Sequence, residues 1–162
     1  MELRCTMRRL SPSNVSLLLE PPWSEKALAR SKIIINGRDT GRVVAGEVLE
    51  AAVQWKHHHL LFITDNTPFE ENLRIYLLDA QWKIVDCATL GAIYSTGVFS
   101  DLELAPPNSL HFRFFGGITW TLELLDHDVM SLPFSDPKGV SRPFGFRKRF
   151  RIHGHPLPDT KV

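Results

Sequence analysis

Only two cysteines, Cys5 and Cys87, occur among 162 residues. A secreted scaffold held together by disulfides carries more, at patterned spacings, so the pair reads as free thiols in a reducing compartment; a single Cys5–Cys87 bridge is the alternative. Long apolar runs are also lacking. No window approaches the about 18 consecutive apolar residues that mark a transmembrane helix. The opening "MELRCTMRRLSPSNVSLLLEPPW" has early basic residues, but "VSLLLE" is too short for the apolar stretch of a signal peptide and "PP" ends it. The expected location is the cytoplasm, with no membrane partner. Net charge is small, +1 at pH 7, which excludes a chain that is basic throughout and built to coat nucleic acid. No G-x-S-x-G elbow, phosphate-binding glycine loop or dinucleotide fingerprint is found, so no catalytic motif names a reaction.

What is present is an ordinary globular composition, 43% hydrophobic and 23% charged. The length suits one domain, with roughly 70% of the unfolded chain's surface buried on folding. Residues 1–31 are broken by Pro12, Pro21 and Pro22 and are expected to be irregular, with at most one or two helical turns over "SEKALARS" (24–31). From residue 32 the apolar period is 2. Strands are expected at 32–35, from Val43 to Trp55, and at 57–64, 73–79, 83–90, 98–104, 110–115, 118–125 and 144–152, with a tail over 154–162. Turns fall at Asn36-Gly37 and Asp79–Trp82, and a polar loop at 65–72. The expected fold is all-β, an antiparallel meander of about eight or nine strands forming a sandwich or barrel.

The Gly116-Gly117 turn fixes a register. A two-residue loop would send the apolar faces of the flanking strands to opposite sides. A three-residue loop, Phe115–Gly117, pairs Phe114 with Ile118, Phe112 with Trp120 and Leu110 with Leu122, and puts all of them in one core. This predicts a type I turn with Gly117 left-handed in a bulge.

Four candidate sites stand out. In "VQWKHHHLLFITDN" (53–66), a strand would place His57 and His59 on one face together with Trp55, Leu61 and Ile63. Two imidazoles at that spacing can chelate zinc, nickel or copper, given further ligands from His111, His127 or the "HGH" at 153–155. The plainer reading is a polar strand end, with no metal and no cofactor. "DHD" (126–128) has the makings of an acid/base or metal cluster, but matches an ordinary strand-ending turn better. The loop "TDNTPFEEN" offers Asp65, Glu70 and Glu71.

The fourth candidate is a charge asymmetry. Residues 137–155 hold six of the 19 Lys and Arg residues and no acid, so 13 basic face 18 acidic residues elsewhere, a net of −5. In "FGFRKRFRIH", Phe144, Phe146, Phe150 and Ile152 are expected in the core. Arg147, Arg149, Arg151 and His153 then line the other face, about 7 Å apart. Such a ladder can meet phosphates or an acidic protein patch. It can equally be an edge guarded by charge, or be balanced by an acidic strand beside it. Stacking aromatics are not interleaved with the arginines, which argues against a nucleic-acid partner.

The reading these features favour is a non-enzymatic domain that binds another protein through its surface. Arg147, Arg149, Arg151, His153, Asp65, Glu70 and Glu71 are its candidate contacts. An inhibitor or immunity-type protein that covers a toxin's or enzyme's site is its most concrete form, an expectation set by analogy with small bacterial domains. The alternative is a metal-dependent enzyme or small-ligand β-barrel using His57, His59, His111 and the "DHD" cluster.

Overall fold

The computed structural model describes residues 7–22, 24, 27–67, 70–91, 97–132, 135–143, 145 and 147–157. Among these there is no helix, and thirteen strands form three antiparallel sheets. They are β1 (Met7–Arg9), β2 (Val15–Leu19), β3 (Arg30–Ile35), β4 (Arg38–Ala45), β5 (Val48–Trp55), β6 (His58–Thr64), β7 (Leu73–Leu78), β8 (Ile84–Leu90), β9 (Ser100–Ala105), β10 (Ser109–Arg113), β11 (Thr119–Met130), β12 (Val140–Ser141) and β13 (Arg147–His153).

The sheets are stacked as three layers. The middle one has six strands in the order β1-β5-β6-β7-β8-β12. One face packs on the four-stranded sheet β13-β11-β10-β9: Val53, Trp55, Leu60, Phe62, Ile75 and Leu77 meet Leu110, Phe112, Trp120, Leu122, Phe150 and Ile152. The other face packs on the three-stranded sheet β2-β3-β4: Ala52, Leu61, Ile63, Tyr76 and Leu78 meet Val15, Ile33, Ile35 and Val44. This explains the unbroken apolar run of β6. Leu60, Leu61, Phe62 and Ile63 are all fully buried because successive side chains enter different cores. The all-β, sandwich-like reading holds, with three layers and more strands than the meander accounted for. None of the three sheets closes into a barrel.

Turn chemistry sets the registers. Asn36 and Gly37 both have positive φ, 51° and 77°, and join Ile35 to Arg38 in the two-residue hairpin expected of "NG". Asp79 closes the β7–β8 turn by accepting the N–H groups of Gln81 and Lys83, each at 2.9 Å. The β10–β11 register is the predicted one, Leu110↔Leu122 and Phe112↔Trp120. Its turn differs in type. Gly116 as well as Gly117 is left-handed (φ 82° and 65°), so it is not the type I turn expected. The Trp120 indole N–H donates to the Phe115 carbonyl at 3.0 Å across this turn.

Four further expectations are corrected. The N-terminal segment contributes β1 and β2, because "MRR" pairs with β5 and "VSLLL" with β3; Arg30 and Ser31 of the candidate helix lie in β3, and the Ala27 N–H bonds the Ser24 carbonyl at 3.2 Å. The element from Val43 to Trp55 is two strands, broken at Gly46, whose φ of 114° suits glycine. His57 belongs to a two-residue turn with Lys56 and not to the strand, since Trp55 pairs with His58. "DHD" lies within β11 and does not end it. Cys87 is a free thiol, half-buried, and burial together with Asp86 pushes its pKa up. Cys5, Phe144, Phe146 and the loop 92–96 lie outside the described residues.

Candidate interaction surfaces

The topology brings two of the sequence candidates to one end of the sandwich. The β5–β6 turn and the "DHD" segment meet there, where Lys56 forms an ion pair with Asp126. Four residues of β11, Leu125–Asp128, stand opposite Arg149 alone, because Leu124 pairs with Phe150 and Val129 with Lys148. The result is a wide bulge. Arg149 fills it, donating to the carbonyls of Leu125 and Asp126 at 3.3 Å each and approaching Asp128 at 3.8 Å. The bulge displays Asp126, His127 and Asp128 to solvent.

The arginine ladder alternates as expected, with Phe150 and Ile152 buried between outward arginines. It also has the acidic neighbour that the sequence left open. Arg147 lies 3.7 Å from Asp128, and Arg151 bonds Glu123 at 3.1 Å. His153 is exposed, opposite Thr121 on β11. Three of the four rungs thus face carboxylates of β11, and little unbalanced positive charge is left on that face.

The acidic loop is knit to itself. Asp65 is buried and holds Arg74 bidentately at 2.7 and 3.0 Å. Glu71 accepts the N–H groups of Asp65, Asn66 and Thr67 at 2.7–3.1 Å. Glu70 is exposed. The structure therefore assigns two of these three carboxylates to loop architecture.

The histidines do not converge. His58 shares its face with Leu60 and Phe62 and lies against Trp55, ring centroids 5.6 Å apart; His59 faces the other core. Both have a buried Nδ1 without a hydrogen-bond partner among the described residues. Burial pushes both imidazoles below their ordinary pKa, helped at His58 by Arg149 and at His59 by His58. His111 Nδ1 is 2.9 Å from Thr121 Oγ1. Among the described residues, no three side chains of the metal-ligating types are grouped to hold an ion.

Opposite ends of one polar clamp join two layers. Asp86 on β8 accepts Arg142 at 2.9 Å and the backbone N–H groups of Arg149 at 2.7 Å and Phe150 at 3.3 Å on β13. Arg142 also bonds Asp136 at 3.0 Å and the Phe150 carbonyl at 2.7 Å, and lies over the Phe150 ring. With both partners of the Arg142–Asp86 pair only 8% exposed, this network is a fastening between sheets rather than an open site.

The surface that sequence reasoning missed is β2. Three sheets have six edge strands, and five are guarded. β1 is three residues long with two arginines, and β12 has only two residues. β4 carries Arg38, Asp39 and Arg42 and a left-handed Gly41; β9 carries Asp101 and Glu103; β13 carries its basic ladder. β2, "VSLLL", has no charge and no left-handed residue. Asn36 N–H bonds the Asn14 carbonyl and Glu20 N–H bonds the Arg30 carbonyl, so even-numbered residues address β3. Leu17 and Leu19 consequently turn their peptide groups to the free edge.

Two adjoining grooves flank that edge. One, of about 570 Å³, lies between Val15–Leu17 and the opposing Arg9–Pro12, with Leu49 and Ala52 also lining it. The other, of about 510 Å³, is bounded by Leu19, Leu28, Val43 and Arg30. Glu47 lines both. Leu18, Leu19 and Leu28 are 58%, 48% and 63% exposed, an apolar patch beside unpaired backbone. The only signal in the sequence was "VSLLLE" itself, an uncharged apolar run.

No significant match to the chain is found among protein-family models, curated proteins or solved structures. No helix among the described residues is long and apolar enough to cross a membrane.

Proposed function

We propose that this protein is a non-enzymatic protein-binding domain that takes up an extended segment of another protein by strand addition to β2. The observation that carries the reading is the unguarded edge: β2 alone among the six edges combines free peptide groups with an apolar, uncharged sequence. Backbone hydrogen bonds from Leu17 and Leu19 supply affinity without regard to sequence, and the flanking grooves select side chains. Glu47 is half-buried where the grooves meet and has no cation or hydrogen-bond donor on its carboxylate among the described residues. A lysine or arginine of the partner near the Leu19 end satisfies it.

Paired variants test this. Leu18→Lys adds a guard on the exposed face. Leu19→Pro removes an N–H that β3 does not use, so the existing ladder is kept. Both sites are exposed, so each change costs within about 0.5–1 kcal/mol of stability. A partner captured stoichiometrically by the wild type is expected to be lost from both variants and retained by Arg147→Ala/Arg151→Ala. In amide exchange, Leu17 and Leu19 should be unprotected in the free protein and protected in the complex. A partner that stays with both edge variants, or lysate that yields no stoichiometric partner, overturns the reading.

A further inference from the structure

Among the described residues, two buried side-chain nitrogens have no hydrogen-bond partner, Nδ1 of His58 and Nδ1 of His59. An orphaned buried polar atom calls for a reason, and at His58 the surroundings supply one. His58 is the first residue of β6 and pairs with Trp55 across the two-residue turn. The Trp55 indole is fully buried and is the hub of a cluster. The His58 ring lies 5.6 Å from it, the Lys56 ammonium lies over it at 4.8 Å, and its own N–H donates to the Pro107 carbonyl at 2.9 Å. Lys56 reaches on to Asp126 in the β11 bulge. One short turn of the middle sheet is thus fastened to the bulge of an outer sheet, with His58 against the fastening.

The charges around this joint suit a neutral imidazole. Asp126 is matched by Lys56, and Asp128 is approached by Arg147 and Arg149 at 3.7 and 3.8 Å. His57 flanks His58 in the turn, and Arg149 acts on it from β13. Asp79 of the β7–β8 turn is the carboxylate that favours a charged His58, but it acts more weakly than Arg149, and its Oδ1 already accepts the N–H groups of Gln81 and Lys83. A protonated imidazole carries N–H donors on both nitrogens. At His58 that would add a cation among cations and a buried donor without an acceptor, which is costly. Burial and then Arg149 accordingly hold its pKa below the ordinary value.

We propose that His58 is the trigger of a pH-operated latch: neutral, it packs on Trp55 and the β5–β6 turn stays fastened to the bulge; protonated, it leaves the indole, the Lys56–Asp126 contact opens, and Trp55 and the Asp126–Asp128 segment are bared together. In the released state His58 has its ordinary pKa of about 6.5. The closed state is therefore favoured above that value and loses ground as pH falls from about 6.5 through the lower value of the closed state. Lys56 holds the Asp126 carboxyl below its usual range, so Asp126 stays ionised throughout and does not itself open the contact. One proton taken up by the released state raises its population by up to about tenfold between pH 7.5 and 5.5. The latch uses β5, β6, β11 and β13 and no residue of β2, so the inference is independent of strand addition there.

The full chain is titrated from pH 7.5 to 5 by NMR, following the His58 ring, the Trp55 indole N–H and the amides of residues 55–58 and 125–128. All should move with one midpoint, below 6.5, and hydrogen-exchange protection of the indole N–H should fall severalfold over the same range. His58→Gln, a neutral replacement, should abolish the common midpoint, and His59→Gln should leave it in place. Asp126→Asn separates a latch from simple charge. Removing an anion beside cations would by charge alone lower the His58 pKa or leave it as it was; opening the fastening should raise it towards 6.5, because the released state becomes easier to reach. Asp126 is exposed, so this change leaves the fold intact. Turn and bulge signals that do not follow His58, a common midpoint that survives in His58→Gln, or a His58 pKa that falls or stays fixed in Asp126→Asn overturns the proposal.

Discussion

Replacing Arg142 by methionine isolates the clamp between β8 and β13. Methionine retains apolar volume in the space of the arginine stem while deleting the guanidinium. Four interactions go with it: the bonds to Asp86, to Asp136 and to the Phe150 carbonyl, and the cation–π contact with the Phe150 ring at 4.7 Å. Removing one partner of a buried ion pair typically costs about 3–5 kcal/mol, because the other charge is left uncompensated. Asp86 is not abandoned, however. Its Oδ2 keeps two amide donors, and its Oδ1 keeps the N–H of Cys87 at 2.8 Å. The loss should therefore lie near the low end, about 3 kcal/mol, which for a domain of this size lowers Tm by about 6–12 °C. Urea unfolding of Arg142→Met, Asp86→Asn and the double variant at neutral pH measures it. The two single losses should exceed the double loss when summed, by about 1 kcal/mol or more. A cost under about 1 kcal/mol for Arg142→Met, or strict additivity, would refute the idea that this pair fastens the layers.

Two further outcomes follow from positions already described. Gly46→Ala should cost about 2–4 kcal/mol in chemical denaturation, since a methyl at φ 114° is strained and would overlap Ile63 Cγ2; Gly37→Ala, also left-handed but facing open space, should cost only about 1–2 kcal/mol. Stability should also fall on mild acidification. His58 and His59 have folded pKa values below the unfolded value of about 6.5, so the unfolded state takes up protons first as pH drops, and stability declines from about pH 6.5 down through the folded values. The urea midpoint should be flat above about pH 7.5 and drop towards pH 5.5, and His58→Gln/His59→Gln should remove most of that slope.

Much of the fold was legible because side-chain period and turn residues are local signals. "NG" specified its hairpin, and the apolar alternation of Leu110, Phe112 and Trp120, Leu122 specified a register across a loop. What failed was non-local. A run such as "HHHLLFIT" does not say whether one or both faces are covered, so the third layer was invisible. The left-handed Lys56, φ 55°, puts a turn into the middle of a histidine triplet that sequence alone reads as one strand. The ladder was correctly placed, but its neutralisation by Glu123 and Asp128 depends on which strand lies beside it. The β2 edge was missed because whether a strand is an edge is a property of the sheet order and not of its five residues.

The order of the layers along the chain has a consequence for how the protein is made. One outer layer comes from residues 15–45, most of the middle from 48–90, and the other outer layer from 100–153. A chain emerging N-terminus first can therefore close its first core while the second is still unmade. Until β10, β11 and β13 arrive, Val53, Leu60, Phe62 and Ile75 have no cover. A stack half-built in that interval presents an apolar, sheet-wide face, the kind of surface through which incomplete chains aggregate.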